Sequence, residues 1–128
     1  MKIEHVAIWT QNLEQMKNFY VKYFNGTSND LYHNSKKNFT SYFISFKEGS
    51  RLELMHRPDV AGLLIASKEH LGLTHLAISV GSKDKVDKLT KNLRADGYSI
   101  IGEPRTTGDG YYESVVSDPE GNRVEITI

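Results

Sequence analysis

The tetrapeptide His5-Val6-Ala7-Ile8 returns, with one conservative change, as His75-Leu76-Ala77-Ile78, and the two copies stand 70 residues apart. A second pair of matching stretches, EGSRLEL at 48–54 and EGNRVEI at 120–126, stands 72 residues apart and in the same order. Two ordered matches at nearly one displacement mark an internal duplication. The chain has 128 residues, enough for one ordinary core and too few for two. The two copies are therefore expected to build one core jointly.

Each copy reads as a strand followed by an amphipathic helix. In NLEQMKNFYVKYF, Leu13, Met16, Phe19, Tyr20, Tyr23 and Phe24 fall on one helical face, with Asn12 as N-cap, Gln15 completing a capping box and Gly26 as the stop. In SKDKVDKLTKNLRADG the apolar set is thinner, Val86, Leu89 and Leu93, with Ser82 as cap and Gly97 as the left-handed turn after the end. Strands are then predicted over FTSYFISF (39–46) and YYESVVS (111–117), and after the turns at Gly49 and Gly121. Each half is thus a strand, a helix and about three strands, joined through 58–71, whose middle has the pattern of a helical turn.

Sixteen Lys and Arg balance sixteen Asp and Glu, which points away from nucleic acid and anionic lipid and towards a small neutral or anionic ligand. The absence of cysteine removes disulfides, thiolate metal sites and a cysteine nucleophile. Any metal must then sit on His and carboxylate groups. The opening MKIEHVAIWT alternates like a strand and lacks the apolar run of a signal peptide or a membrane span, so a cytoplasmic protein is expected.

Alternation along the strands sorts the repeated residues. His5, Ala7 and Trp9 share one face, with Val6 and Ile8 on the other; Leu52 and Leu54 oppose Glu53, Leu76, Ile78 and Val80 oppose His75, and Val124, Ile126 and Ile128 oppose Glu125. Four ligand-capable residues, His5, Glu53, His75 and Glu125, therefore lie on the strand faces turned away from the helices. Two readings are open at this point. On a flat solvated face they are unremarkable, and the repeat preserves architecture alone. If the halves pack with pseudo-twofold symmetry they converge, and two imidazoles with two carboxylates suit one divalent Ni, Zn, Mn, Fe or Co ion.

The stretches IEHVAIWTQNLEQMKNFYVKYF and LTHLAISV, with the endings RLEL and DPEGNRVEI, resemble the vicinal oxygen chelate superfamily and, within it, glyoxalase I (lactoylglutathione lyase). The likeness spans the whole chain. It implies an α+β fold in which tandem βαβββ modules form a cupped eight-stranded mixed sheet with helices outside, as a single domain over 1–128 (modules 1–57 and 72–128, linker 58–71). It also implies one divalent metal ion on His5, Glu53, His75 and Glu125, and frequently a homodimer. By the same resemblance Glu53 and Glu125 carry the proton in an isomerisation through an enediolate, the substrate being a hemithioacetal or hydroxy-ketone. Methylmalonyl-CoA epimerases usually have Gln where this chain has Glu53. Extradiol dioxygenases and fosfomycin-resistance transferases use three protein ligands, and bleomycin-binding relatives generally lack the set. That last group supplies the alternative function, an antibiotic- or small-molecule-sequestering module without catalysis.

The chain departs from the glyoxalase pattern at Trp9. Bacterial enzymes of this type place an Arg four residues after the first ligand histidine to hold a glutathione carboxylate, and an indole cannot make that bidentate contact. Trp9 is instead a candidate wall for an aromatic or apolar substrate, or a ring filling the sheet interior. Arg51 and Arg123, two residues before the glutamates, are candidates for meeting an anionic substrate or for pairing with a surface carboxylate. Tyr111 and Tyr112, in TTGDGYYES (106–114), fit either a flap over a pocket or a plain hairpin. His33, His56 and His70 have no copy at the repeat displacement and are expected in loops or on the surface.

Overall fold

The computed structural model describes residues 1–60, 62 and 71–128. The expected helical turn within 58–71 and His70 thus lie outside the described residues. The chain divides into two compact units, Met1–Leu63 and Leu64–Ile128.

The first unit runs β1 (His5–Trp9), α1 (Leu13–Phe24), β2 (Thr27–Ser28), β3 (Tyr32–Asn34), β4 (Phe39–Ser45) and β5 (Arg51–His56). Its sheet has the order β1-β5-β4-β2, with β3 also on β4, and β1 joins β5 in parallel while the rest is antiparallel. The second unit runs β6 (Leu76–Ser79), α2 (Lys83–Ala95), β7 (Ile100–Thr106), β8 (Tyr112–Ser117) and β9 (Arg123–Thr127), in the order β6-β9-β8-β7 with β6 parallel to β9. Both units therefore thread the same mixed sheet with one helix on one face. Nine strands lie among the described residues, one more than the repeat requires. Two short strands on β4, at 27–28 and 32–34, stand where β7 stands on β8, because the first copy interrupts its outer strand while the second carries it across with bulges near Gly102.

The helices form where the periodicity predicts. Asn12 caps α1 by accepting the Gln15 N–H at 3.0 Å, and Ser82 caps α2 by accepting from Lys85. Met16, Phe19, Tyr20 and Phe24 are buried against β4 and β5, where Ile44, Leu52 and Leu54 meet them. On α2 the buried residues are Val86, Leu93 and Thr90. Thr90 escapes an apolar pattern search because it is polar. Its hydroxyl bonds the Val86 carbonyl at 2.7 Å and the buried Ser114 hydroxyl at 2.6 Å, so neither group is left unsatisfied. Ile128, expected in the core with Val124 and Ile126, is 42% exposed, since it lies beyond the last paired residue of β9.

The two helices end differently. After α2, Gly97 takes φ 88 and a Schellman pair closes the end, Gly97 N–H to the Arg94 carbonyl and Tyr98 N–H to the Leu93 carbonyl. After α1 the left-handed residue is Asn25, φ 53, and not Gly26. Gly26 is needed for a different reason: a Cβ there would fall inside the van der Waals shell of Ile44 Cγ2 and 3.2 Å from the Tyr20 carbonyl oxygen. Gly26→Ala is expected to destabilise the fold by about 1–3 kcal/mol through overpacking. In urea melts the same change should cost less in a chain that already carries Ile44→Ala, which lacks the Cγ2 methyl, and an unchanged cost would count against the clash as its cause. No helix among the described residues is long and apolar enough to cross a membrane.

Candidate functional site

In the first unit, parallel pairing sets His5 opposite Arg51 and Ala7 opposite Glu53. Alternation then turns His5, Arg51 and Glu53 to the face away from α1, as the burial of Leu52 and Leu54 on the other face requires. His5 Nε2 lies 3.8 Å from Glu53 Oε2. Its Nδ1 lies 2.5 Å from Glu4 Oε2, and because an ionised carboxylate only accepts, Nδ1 is the donor, with Nε2 on Glu53's side of the ring. The other Glu4 oxygen accepts from Arg51 Nε at 2.7 Å and Nη2 at 2.5 Å. The His5 hydrogen bond, helped by Arg51, holds the Glu4 carboxyl below the ordinary carboxylate range. Arg51 also lies 4.1 Å over the Phe43 ring, against which His5 packs edge-on. Arg51 thus pairs with the same carboxylate that holds His5.

The second unit repeats the arrangement with different neighbours. His75 Nε2 lies 3.4 Å from Glu125 Oε2, and His75 Nδ1 lies 3.0 Å from Thr74 Oγ1. A third carboxylate stands close by. Glu113, 8% exposed, points from β8 to the face that carries Glu125, and Arg105 Nη2 lies 3.5 Å from its Oε1. Burial raises the Glu113 carboxyl above its usual range, and a hydrogen bond and repulsion from Glu125 push it further.

The remaining candidates separate. Trp9 is 42% exposed on the His5 face, touches Phe39 edge-on at 6.1 Å and has Arg57 stacked on its ring at 5.4 Å. Arg123 opens β9 two residues before Glu125. Tyr111 is 55% exposed in a hydrogen-bonded hairpin turn, its backbone bonded to Thr107. Tyr112 faces the other way: its hydroxyl bonds Asp87 of α2 at 2.7 Å and Lys83 lies over its ring, so it stands on the helix side and apart from Glu125. His33 is exposed in β3. His56 is neither surface nor loop. It ends β5, half-buried, with Nδ1 2.9 Å from the Thr10 carbonyl oxygen. Each unit thus brings together one His–Glu pair, and among the described residues no group of three or more His, Asp or Glu is arranged to hold a metal ion.

Residues 2–126 match the Glyoxalase/Bleomycin resistance protein/Dioxygenase superfamily. The chain belongs to that superfamily. Among its relatives is the uncharacterised protein YqjT of Bacillus subtilis (strain 168), 39% identical over 59 residues, which are 44% of this chain and 46% of that protein. The fold matches a glyoxalase family protein from Enterococcus faecalis (26% identity, TM-score 0.79, 99% of this chain and 97% of that one). It also matches glyoxalase I from Zea mays (21% identity, TM-score 0.77), covering 98% of this chain and 44% of that one. The chain accordingly spans less than half the length of the maize protein, and its match to YqjT covers less than half of that protein. At 21% identity the maize likeness speaks for the fold alone.

Within this superfamily domain, Glu113 is the residue that sequence reasoning missed. The duplication hid it, because position 41 in the first copy is Ser; the signal that could have found it is strand alternation, which puts Glu113 on the face of Val115, the partner of Glu125. A carboxyl whose folded pKa is raised favours folding below its unfolded value and loses that contribution as pH rises through the folded one. Glu113→Gln is therefore expected to stabilise the metal-free protein at neutral pH. Urea melts should show the gain shrinking as pH falls and gone below the ordinary glutamate value of 4.5. A gain that does not change with pH would rule out this origin.

Proposed function

We propose that this superfamily domain is a metal-dependent lyase or isomerase of the glyoxalase I type, acting on a small substrate with two adjacent oxygens, a hemithioacetal or a hydroxy-ketone. The observation that supports the reading is the duplicated pair, His5 to Glu53 at 3.8 Å and His75 to Glu125 at 3.4 Å. Imidazole nitrogen and carboxylate oxygen form a donor set that fits a borderline divalent cation. Both imidazoles also have Nδ1 engaged, by Glu4 and by Thr74, which is the outer support a ligating histidine needs to fix its ring and tautomer. In this reading His5, Glu53, His75 and Glu125 together hold one Ni, Zn, Mn, Co or Fe ion. Such an ion, when bound, supplies Lewis-acid stabilisation of the negative charge that develops on the substrate's vicinal oxygens.

The chain's own residues do the rest. Glu53 and Glu125 are the groups that move the proton: one carboxylate takes it from the carbon beside the carbonyl, and a carboxylate returns it to the neighbouring carbon, with no net oxidation. Their side chains are only 14% and 19% exposed, so bulk water competes weakly for that proton. His5 and His75 serve as ligands and take no part in the proton transfer. Glu4 and Arg51 keep His5 in place.

Elemental analysis of protein loaded with each ion is the direct test. One divalent ion per pair of half-sites is expected, lost in His75→Ala, together with turnover of methylglyoxal in the presence of glutathione or another thiol. Absence of uptake for every ion offered would remove the catalytic reading. The second reading, a sequestering module without catalysis, is favoured by the exposed aromatic side chains beside Trp9, and binding without turnover would support it.

A further inference from the structure

The helix-free face of the first unit does not end at His5 and Glu53. One step along the sheet from the Ala7–Glu53 pair comes the Trp9–Met55 pair, followed on β4 by Ser41 and on β3 by Tyr32. Trp9 and Glu53 are diagonal neighbours on one face of the parallel β1–β5 pair. Phe39 packs edge-on between the two outer rings, 6.1 Å from Trp9 and 6.1 Å from Tyr32. Trp9 and Tyr32 remain 42% and 51% exposed, and Ala7, the residue between Trp9 and His5 on this face, is too short to screen the indole from Glu53.

Three features separate this corner from rings that merely fill space. The indole is pinned before any ligand arrives, by Phe39 at its edge and by the Arg57 guanidinium 5.4 Å from its centroid. Arg57 is in turn held by Asp59, Nε to Oδ1 at 2.5 Å. The corner also belongs to one copy of the repeat: at the displacement of 70, the residue matching Trp9 is Ser79. Architecture common to both copies therefore does not demand it.

We propose that this corner is a subsite for an aryl group carried next to the reacting oxygens, so that the preferred substrates are aryl-substituted vicinal-oxygen compounds. The inference rests on the reading above that His5 and Glu53 belong to the substrate site. A phenyl ring bonded to the reacting carbons spans the step from Glu53 to Trp9, and it can add an edge-to-face contact to the row of Trp9, Phe39 and Tyr32. A methyl substituent reaches none of these rings.

Trp9 is the only tryptophan in the chain, so its emission reports on this corner alone. Mandelate and lactate, two α-hydroxy acids that differ by phenyl against methyl, are titrated with and without zinc. Mandelate is expected to quench Trp9 and to bind about tenfold or more tighter than lactate, the effect of burying one further aromatic ring. Phe39→Ala and Tyr32→Ala, both at exposed or half-exposed positions, should each lower that preference and leave lactate affinity unchanged. Equal affinities for the two acids, or mandelate binding that leaves Trp9 emission unaltered, overturn the inference. Equal affinities in protein that still takes up zinc would leave the metal reading standing. An aryl preference in protein that takes up no zinc supports the corner and sinks the metal reading instead.

Discussion

Glu125→Gln is expected to lower turnover about 10²–10⁴-fold, the range that a positioned general acid or base contributes. The amide keeps the size of the carboxylate and an oxygen that can face His75 Nε2, so the fold should be intact, but it cannot take up a proton at neutral pH. If Glu125 serves the proton step, kcat falls while KM moves little, because the lost interaction belongs to the transition state. Exchange of the substrate's α-proton with deuterated solvent, followed by NMR, reads the same step without product formation. Glu53→Gln is the companion measurement, and comparison of the two rates assigns base and returning acid. Full exchange in both variants would remove the proton-shuttle role and leave the glutamates as ligands alone.

Ile126→Ala is expected to destabilise the protein by about 2–5 kcal/mol, as large-to-small changes at sealed core positions do. Ile126 is fully buried on the face of β9 opposite Glu125, where α2 packs. Its counterpart at the displacement of 72 is Leu54, also fully buried, beside Glu53. Leu54→Ala should cost a similar amount. In both cases a shift of the urea midpoint with an unchanged slope is the signature of lost stability without a change in compactness. A loss below about 1 kcal/mol would mean that the neighbouring side chains collapse into the space.

Much of this architecture could be read from the residues because the periodicities are clean. Both helices, the alternation that separates Leu52 and Leu54 from Glu53, and the matched turns at Gly49 and Gly121 (φ 90 and 87) follow from local pattern. What escaped depends on partners distant in sequence. Thr90 is in the core because Ser114, 24 residues away, satisfies its hydroxyl. Glu113 is beside Glu125 through strand pairing, and no motif announces it. Asn25 rather than Gly26 turns the end of α1, since the space beside Ile44 claims the glycine. Tyr112 lies on the helix side because a strand begins at that residue, and one step in alternation decides which face it takes. The His–Glu pairing within each unit follows from the duplicated positions and strand alternation, whereas the ring row at Trp9 required β3 and β4 to be placed side by side.

The parallel closure of each sheet has a kinetic corollary. The β4–β5 and β8–β9 hairpins join strands that are a few residues apart, but β1 meets β5, and β6 meets β9, only after more than forty intervening residues have been gathered in. Loop closure of that length is slow compared with hairpin formation. Each histidine is therefore expected to reach its glutamate late in folding, after the hairpin on which that glutamate sits has formed.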